Sequence, residues 1–119
     1  MVNGTLFHEV LVRFRPTLAV VEQVSAMPRQ GVASSFKFGR AVGVIEGVIG
    51  GACVPIEWVT PARWKKAMHL SPDKEASRQL AIRKWPELAH LFARKMDHGR
   101  AEAALLALYS IETSRRTEA

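Results

Sequence analysis

Two short runs rich in β-branched residues flank one long segment that has the length of a helix. The first run, residues 17–24, reads TLAVVEQV and lies between Pro16 and the loop-forming stretch SAMPRQG; the second, residues 54–61, reads VPIEWVTP. Residues 34–52 are too long for a strand and carry glycines three or four positions apart, which favours a helix capped by Ser34 or Ser35. Strand, helix and strand in this order predict a right-handed crossover with parallel strands, and therefore an α/β fold.

The rest of the chain is predicted to be helical. Leu6, Val10 and Phe14 are spaced four apart in residues 5–15, and Pro16 ends that helix. The 119 residues, 48% of them hydrophobic, suit one core and contain no repeat or linker, so we predict a single domain over residues 1–119. The helices expected after Pro61 are residues 62–68, residues 72–85 behind a cap at Ser71, a short helix over 86–95, and a last helix over about 98–112.

The charge of the chain indicates a polyanionic partner. Seventeen Lys and Arg against eleven Asp and Glu give a net charge of +6, which attracts nucleic acid, although membrane surfaces attract the same charge. The longest apolar run, residues 41–55, is shorter than the ~20 residues of a membrane span, and the N-terminus lacks the features of a signal peptide. A single cysteine, Cys53, excludes an internal disulfide and fits a reducing compartment, so we expect a cytoplasmic protein without a membrane partner.

Acidic residues occur at two positions where chemistry is expected. Glu22 lies near the carboxyl end of the first predicted strand, the end at which open α/β sheets bind ligands, although an ion pair with a residue such as Arg29 explains it equally well. His98 and Glu102 lie one turn apart on one helix face, whereas Asp97 and Glu102 would lie about 140° apart if both were helical. Asp97 is therefore either a simple helix cap or a carboxylate that turns toward Glu102 or Glu22.

Two or three carboxylates held together form the kind of site that Mg²⁺ requires, and two such ions can assist a phosphodiester displacement. His98 would serve as a ligand, as a proton carrier, or only as a polar residue at a helix start. These residues are the candidates for catalysis.

The basic residues cluster after the two predicted strands. Arg29, Lys37 and Arg40 follow the first strand, and Lys65 and Lys66 follow the second. Both clusters would flank the acidic candidates and bind the phosphates of a nucleic acid, which supplies affinity but little sequence selectivity. Phe36 and Phe38 on either side of Lys37 would stack on bases or belong to the core.

Four blocks of this sequence resemble the RuvC-type Holliday junction resolvases, especially their phage and prophage-like branch. The resemblance implies an RNase H-like fold and a homodimeric nuclease that uses Mg²⁺, or Mn²⁺, to cut four-way DNA junctions. It also implies that Glu22, Asp97 and Glu102 are catalytic metal ligands, with His98 as a substitute for Asp97. The blocks are VVEQVSAMPRQGVASSFKFGRAVGVIEGV, VTPARWKKAM, DKEASRQLAIRKWPEL and KMDHGRAEAALLALY.

The sequence departs from this family at its beginning. The family's first strand carries an Asp in an Asp-x-Gly motif, and two more strands follow it, but nothing before Thr5 matches them. We therefore expect an N-terminally truncated RuvC-like fold, a parallel βαβ core followed by helices. Two functions are consistent with it: a structure-selective endonuclease, or an inactive module that binds DNA or dimerises through the face formed by Gly39, Gly43 and Gly47.

Overall fold

The structure is a computed structural model that describes residues 2–24 and 31–118. It is mostly helical and contains a small parallel sheet of two strands. The strand, helix and strand predicted from the sequence are present, in that order. The elements are α1 (Gly4–Phe14), β1 (Ala19–Glu22), α2 (Val32–Gly51), β2 (Ile56–Val59), α3 (Pro61–Ala67), α4 (Lys74–Lys84), two 3₁₀ helices (Pro86–Leu91 and Lys95–Asp97) and α5 (His98–Glu118).

The chain divides into two compact units, Met1–Trp58 and Val59–Ala119. In the first unit α1 packs against α2. A Cβ at Gly4 would meet Val44 at 3.4 Å and Val48 at 3.5 Å, which are ordinary van der Waals distances, so the start of α1 lies close to α2. In the second unit α4 and α3 both contact α5, and Trp64 and Leu105 are fully buried. The single domain over residues 1–119 stays a prediction.

Helix α1 begins and ends as the sequence indicates. The side chain of Asn3 accepts a hydrogen bond from the amide of Leu6, and Arg15 adopts a left-handed conformation (φ 47°) just before Pro16. A left-handed residue at this position lets the chain leave the helix while its amide still bonds back, here to the carbonyl of Leu11. Leu11 is the buried residue of this helix.

Several predicted boundaries are wrong by a few residues. Helix α2 begins at Val32, and Gly31 precedes it without a side-chain cap, so neither predicted serine caps it. Asp73, not Ser71, caps α4, because its carboxylate accepts a hydrogen bond from the amide of Glu75 at 3.0 Å. The predicted helix over 86–95 is 3₁₀ rather than α over Pro86–Leu91. Helix α5 continues to Glu118, beyond the predicted end at Glu112.

Candidate active site

The predicted catalytic residues lie in both units of the chain. Glu22 is the last residue of β1, at the carboxyl end of the strand as predicted, and its side chain is half-buried. Asp97 ends the second 3₁₀ helix, and His98 begins α5. Glu102 follows one turn later on the same helix. The second unit therefore contains three of the four predicted residues.

Asp97 is held by its neighbour Arg94. Its side chain is 4% exposed, and one carboxylate oxygen lies 3.0 Å from Nη2 of Arg94. The other oxygen accepts hydrogen bonds from the backbone amide of Arg94 at 3.0 Å and from its Nε at 3.3 Å. Both oxygens of Asp97 are thus engaged by a cation within one turn, and the carboxylate does not turn toward Glu102.

These contacts keep Asp97 ionised. Hydrogen bonds from the side chain and then the backbone of Arg94 lower the pKa of the Asp97 carboxyl, and the charges of Arg94 and Arg100 act in the same direction. Burial opposes this effect by raising the pKa. A carboxylate whose charge is already balanced by an arginine has less attraction for a metal ion, so Asp97 has the environment of a structural residue.

His98 and Glu102 face one another on α5. Nδ1 of His98 lies 3.8 Å from Oε1 of Glu102, as expected for residues four apart on a helix. The other oxygen of Glu102 lies 3.8 Å from Nζ of Lys65 on α3. Lys65 and Glu102 are 19% and 18% exposed, so the carboxylate lies between an ammonium group and an imidazole in a partly buried setting.

The imidazole of His98 has an unsatisfied polar atom. Its Nδ1 is shielded from solvent and has no hydrogen-bond partner within the residues that the structure describes, because 3.8 Å is too long for a hydrogen bond to Glu102. Buried polar atoms are nearly always satisfied in native proteins. An imidazole nitrogen without a hydrogen-bond partner beside a carboxylate is a pair of ligands of the type that binds divalent cations.

The described residues do not form a complete metal cage within either unit. No group of three or more His, Cys, Asp and Glu side chains with metal-binding geometry occurs in residues 2–24 or in residues 31–118. In the second unit His98 and Glu102 place an imidazole nitrogen beside a carboxylate, and that carboxylate also lies 3.8 Å from Lys65. This set fits a cation that completes its coordination with water and phosphate oxygens, as Mg²⁺ commonly does.

The predicted phosphate-binding residues differ in how accessible they are. Lys37 and Arg40 are exposed on α2, where they line a cleft of about 600 Å³ together with Phe36 and Phe38. Lys66 is exposed at the end of α3. Lys65, which precedes it, is engaged with Glu102 and with the ring of Trp64, 5.5 Å away. Arg29 lies outside the described residues.

Two basic residues near His98 have no sequence signal that marks them. Lys74 and Lys95 line a cleft of about 560 Å³ that also contains His98. Twenty-one positions separate them in the chain, and only the packing of the start of α4 beside the second 3₁₀ helix brings them to one cleft. The position of Lys95 at the start of the KMDHG segment, two residues before Asp97, is the one feature that could have drawn attention to it.

No helix in the described part of the chain combines the length and the apolarity needed to cross a membrane.

No protein-family model matches this sequence, and no curated protein matches it.

The fold is similar to that of RuvC from T. thermophilus, which has been solved in complex with Holliday junction substrate. The TM-score is 0.65 at 21% sequence identity, and the matched region covers 92% of this chain and 65% of the RuvC chain. This chain therefore spans less than two thirds of the length of that neighbour. The likeness supports the RuvC-like fold that the four sequence blocks predict, and it agrees with an RNase H-like fold with a truncated core.

Proposed function

We propose that this chain is a metal-dependent endonuclease that cleaves phosphodiester bonds at Holliday junctions or related branched DNA. The observation that carries the proposal is the pairing of an orphaned imidazole nitrogen, Nδ1 of His98, with the carboxylate of Glu102 on a RuvC-like fold. The substrate class comes from the structural neighbour, whose structure contains Holliday junction substrate.

The donor set in the second unit suits Mg²⁺ or Mn²⁺. His98 and Glu102 would hold the ion, and Glu22 is the further ligand that the family resemblance predicts. A divalent cation bound by these residues would polarise the phosphodiester and lower the pKa of a water nucleophile. Glu102 would supply the negative charge that retains the ion, in competition with the neighbouring ammonium of Lys65.

We assign Asp97 a different role from the one first predicted. Because both of its oxygens are bound by Arg94, it serves to fix the turn that precedes α5. The sequence left the choice between Asp97 and His98 as metal ligand open, and we propose His98.

The DNA would be bound through its phosphates by exposed basic residues. Lys37, Arg40 and Lys66 have accessible side chains, and the net charge of +6 favours any polyanion. Lys74 and Lys95 line the same cleft as His98 and would bind phosphates there. Arg29 stays in this set as a prediction.

A homodimer, a cytoplasmic location and membership of the phage-like branch are further parts of this proposal. The face formed by Gly39, Gly43 and Gly47 supports the homodimer, because a side chain added at any of them would meet no described atom within 4 Å. The face therefore does not pack against the sheet, and it is open to a second copy of the chain.

The test is a nicking assay on a synthetic four-way junction with Mg²⁺, with Mn²⁺, and with a chelator. Nicks that appear only with a divalent cation support the proposal. Glu22→Gln should abolish cleavage while it preserves junction binding in a gel-shift assay. Cleavage that persists in the chelator, or in Glu22→Gln at the wild-type rate, would reject the proposed site.

A second candidate function is an inactive RuvC-like module that binds DNA or dimerises. The arginine-bound state of Asp97 and the incomplete metal cage within each unit favour this candidate. The same assay separates the two functions, since tight binding of the junction without any product in either cation identifies the inactive module.

A further inference from the structure

Arg78 connects α4 to the chain segment that leads into the proposed site. Its side chain is 10% exposed, and its Nη1 donates hydrogen bonds to the carbonyls of Phe92 at 2.8 Å and Ala93 at 2.7 Å. Nε and Nη2 of the same guanidinium bind the carboxylate of Glu75 at 2.6 to 3.0 Å. One side chain thus makes both an ion pair within α4 and two bonds to a distant backbone segment.

The backbone that Arg78 holds continues directly into the turn before α5. Ala93 is followed by Arg94, whose amide and guanidinium bind Asp97. The amide of Asp97 in turn donates to the carbonyl of Arg94 at 2.9 Å. His98, the next residue, begins α5. The segment 92–97 is therefore tied at both ends by arginines, and its position determines where α5 starts.

A buried arginine is a poor choice for stability alone. Its partner Glu75 is 44% exposed, and a partly exposed ion pair contributes little to stability, whereas buried polar contacts can specify one conformation among several. Only a planar guanidinium can bind a carboxylate through two nitrogens and still donate to two carbonyls. The arrangement at Arg78 uses both capacities, as expected if the location of residues 92–93 must be exact.

We propose that Arg78 is a positioning residue of the candidate active site. It fixes the backbone at Phe92 and Ala93, so that the Arg94–Asp97 turn forms and the imidazole of His98 is presented beside Glu102. This inference rests on the proposed function in so far as His98 binds a metal ion. The placement of the turn itself does not depend on that function.

The experiment compares the full ¹⁵N-labelled chain with the variant Arg78→Met. The matched control is Arg83→Met, because Arg83 is an exposed arginine on the same helix. Two quantities are measured by NMR: the hydrogen-exchange rates of the Arg94 and Asp97 amides, and the Mn²⁺ concentration that halves the His98 imidazole signal. In Arg78→Met, exchange at both amides should accelerate at least about tenfold. The Mn²⁺ concentration should rise about 10- to 100-fold, as when a residue that orients a metal ligand is removed.

Arg83→Met should change neither quantity. Arg78→Lys tests the inference even if Arg78→Met does not fold, because lysine keeps the charge but cannot make the fork and both carbonyl bonds. Fast exchange in the folded Arg78→Lys chain supports the inference, and wild-type exchange in that chain overturns it. If Mn²⁺ does not affect His98 in the wild type, the proposed metal site fails, while the exchange rates still decide the role of Arg78.

Discussion

The ammonium group of Lys65 on α3 lies 3.8 Å from a carboxylate oxygen of Glu102 on α5. This pair joins two helices of the second unit. Lys65, which was predicted to bind DNA phosphate, instead contacts Glu102, which was predicted to bind metal. Both side chains are less than one-fifth exposed, so the interaction is less screened by water than a surface ion pair. If Glu102 binds a divalent cation as proposed, the ammonium of Lys65 and that cation should compete for it.

Lys65→Met should increase the affinity for Mn²⁺. A partly exposed ion pair contributes up to about 1 kcal/mol, so removal of the competing ammonium should tighten binding by about fivefold at most. Isothermal titration calorimetry measures this, with Lys66→Met, the exposed neighbour, as the control. Weaker binding in Lys65→Met would mean that Lys65 supports the metal site instead of competing with the ion.

Asp97→Asn should lower the thermal stability of the chain more than Arg94→Met does. The backbone amide of Arg94 still donates to Asp97 when the arginine side chain is removed, whereas Asp97→Asn removes the charge at the centre of the turn. The double variant should melt close to Asp97→Asn alone, because the Arg94 side chain acts on the turn through Asp97. Scanning calorimetry of the four chains gives the comparison, and additive losses would contradict the proposed clamp.

The Glu75–Arg78 ion pair should make stability depend on pH in the acidic range. The hydrogen bond from Arg78 lowers the pKa of Glu75 in the folded chain. The contribution of the ion pair to stability is therefore fully present above the pKa of Glu75 in the unfolded chain, about 4.3. It is lost as the pH falls through the lower pKa of Glu75 in the folded chain. Since Glu75 is 44% exposed, solvent screening reduces the effect.

Urea unfolding of the wild type and of Glu75→Gln, followed from pH 7 to pH 3, isolates this pair from the other carboxylates that titrate in the same range. The difference in free energy of unfolding between the two chains should shrink as the pH falls. A difference that stays constant over this range would show that Glu75 does not contribute through its charge.

Gly43→Arg should convert a dimer into a monomer without unfolding α2. No described atom lies within 4 Å of a side chain placed there, so the monomer accommodates the arginine, while the like charges and bulk would block close approach of a second copy. Light scattering gives the molar mass, and circular dichroism reports the helix content. Ser34→Arg is the control, because Ser34 is exposed and lies nine residues away, on the opposite side of the helix.

An unchanged dimer in Gly43→Arg would exclude the glycine face as the interface. A wild-type chain that is monomeric at every concentration would contradict the predicted homodimer altogether.

The sequence predicts the order of the elements well because strong local signals mark them. Pro16 and Pro61 determine where one element stops and another starts, and the β-branched runs contain both strands. Local patterns were less informative at the helix starts, since Ser34 and Ser71 are good caps that the chain does not use. Propensity at a cap is a small energy that tertiary packing overrides.

The sequence predicted one contact among the candidate residues and missed others. The spacing of His98 and Glu102 indicated that they share a face, as the distance of 3.8 Å confirms. The engagement of Asp97 by Arg94 depends on a 3₁₀ turn, which helical periodicity does not reveal. The contacts of Arg78 with carbonyls 14 and 15 residues away leave no pattern in the sequence.

The most direct test of the central claim is the single-turnover cleavage rate of a labelled four-way junction by the wild type, by Glu102→Gln and by Glu87→Gln, an exposed carboxylate outside the site. If His98 and Glu102 hold the catalytic cation, Glu102→Gln should slow Mg²⁺-dependent cleavage at least about 100-fold, because a charged metal ligand is lost, and Glu87→Gln should cleave at the wild-type rate. Equal cleavage by all three chains would contradict the claim.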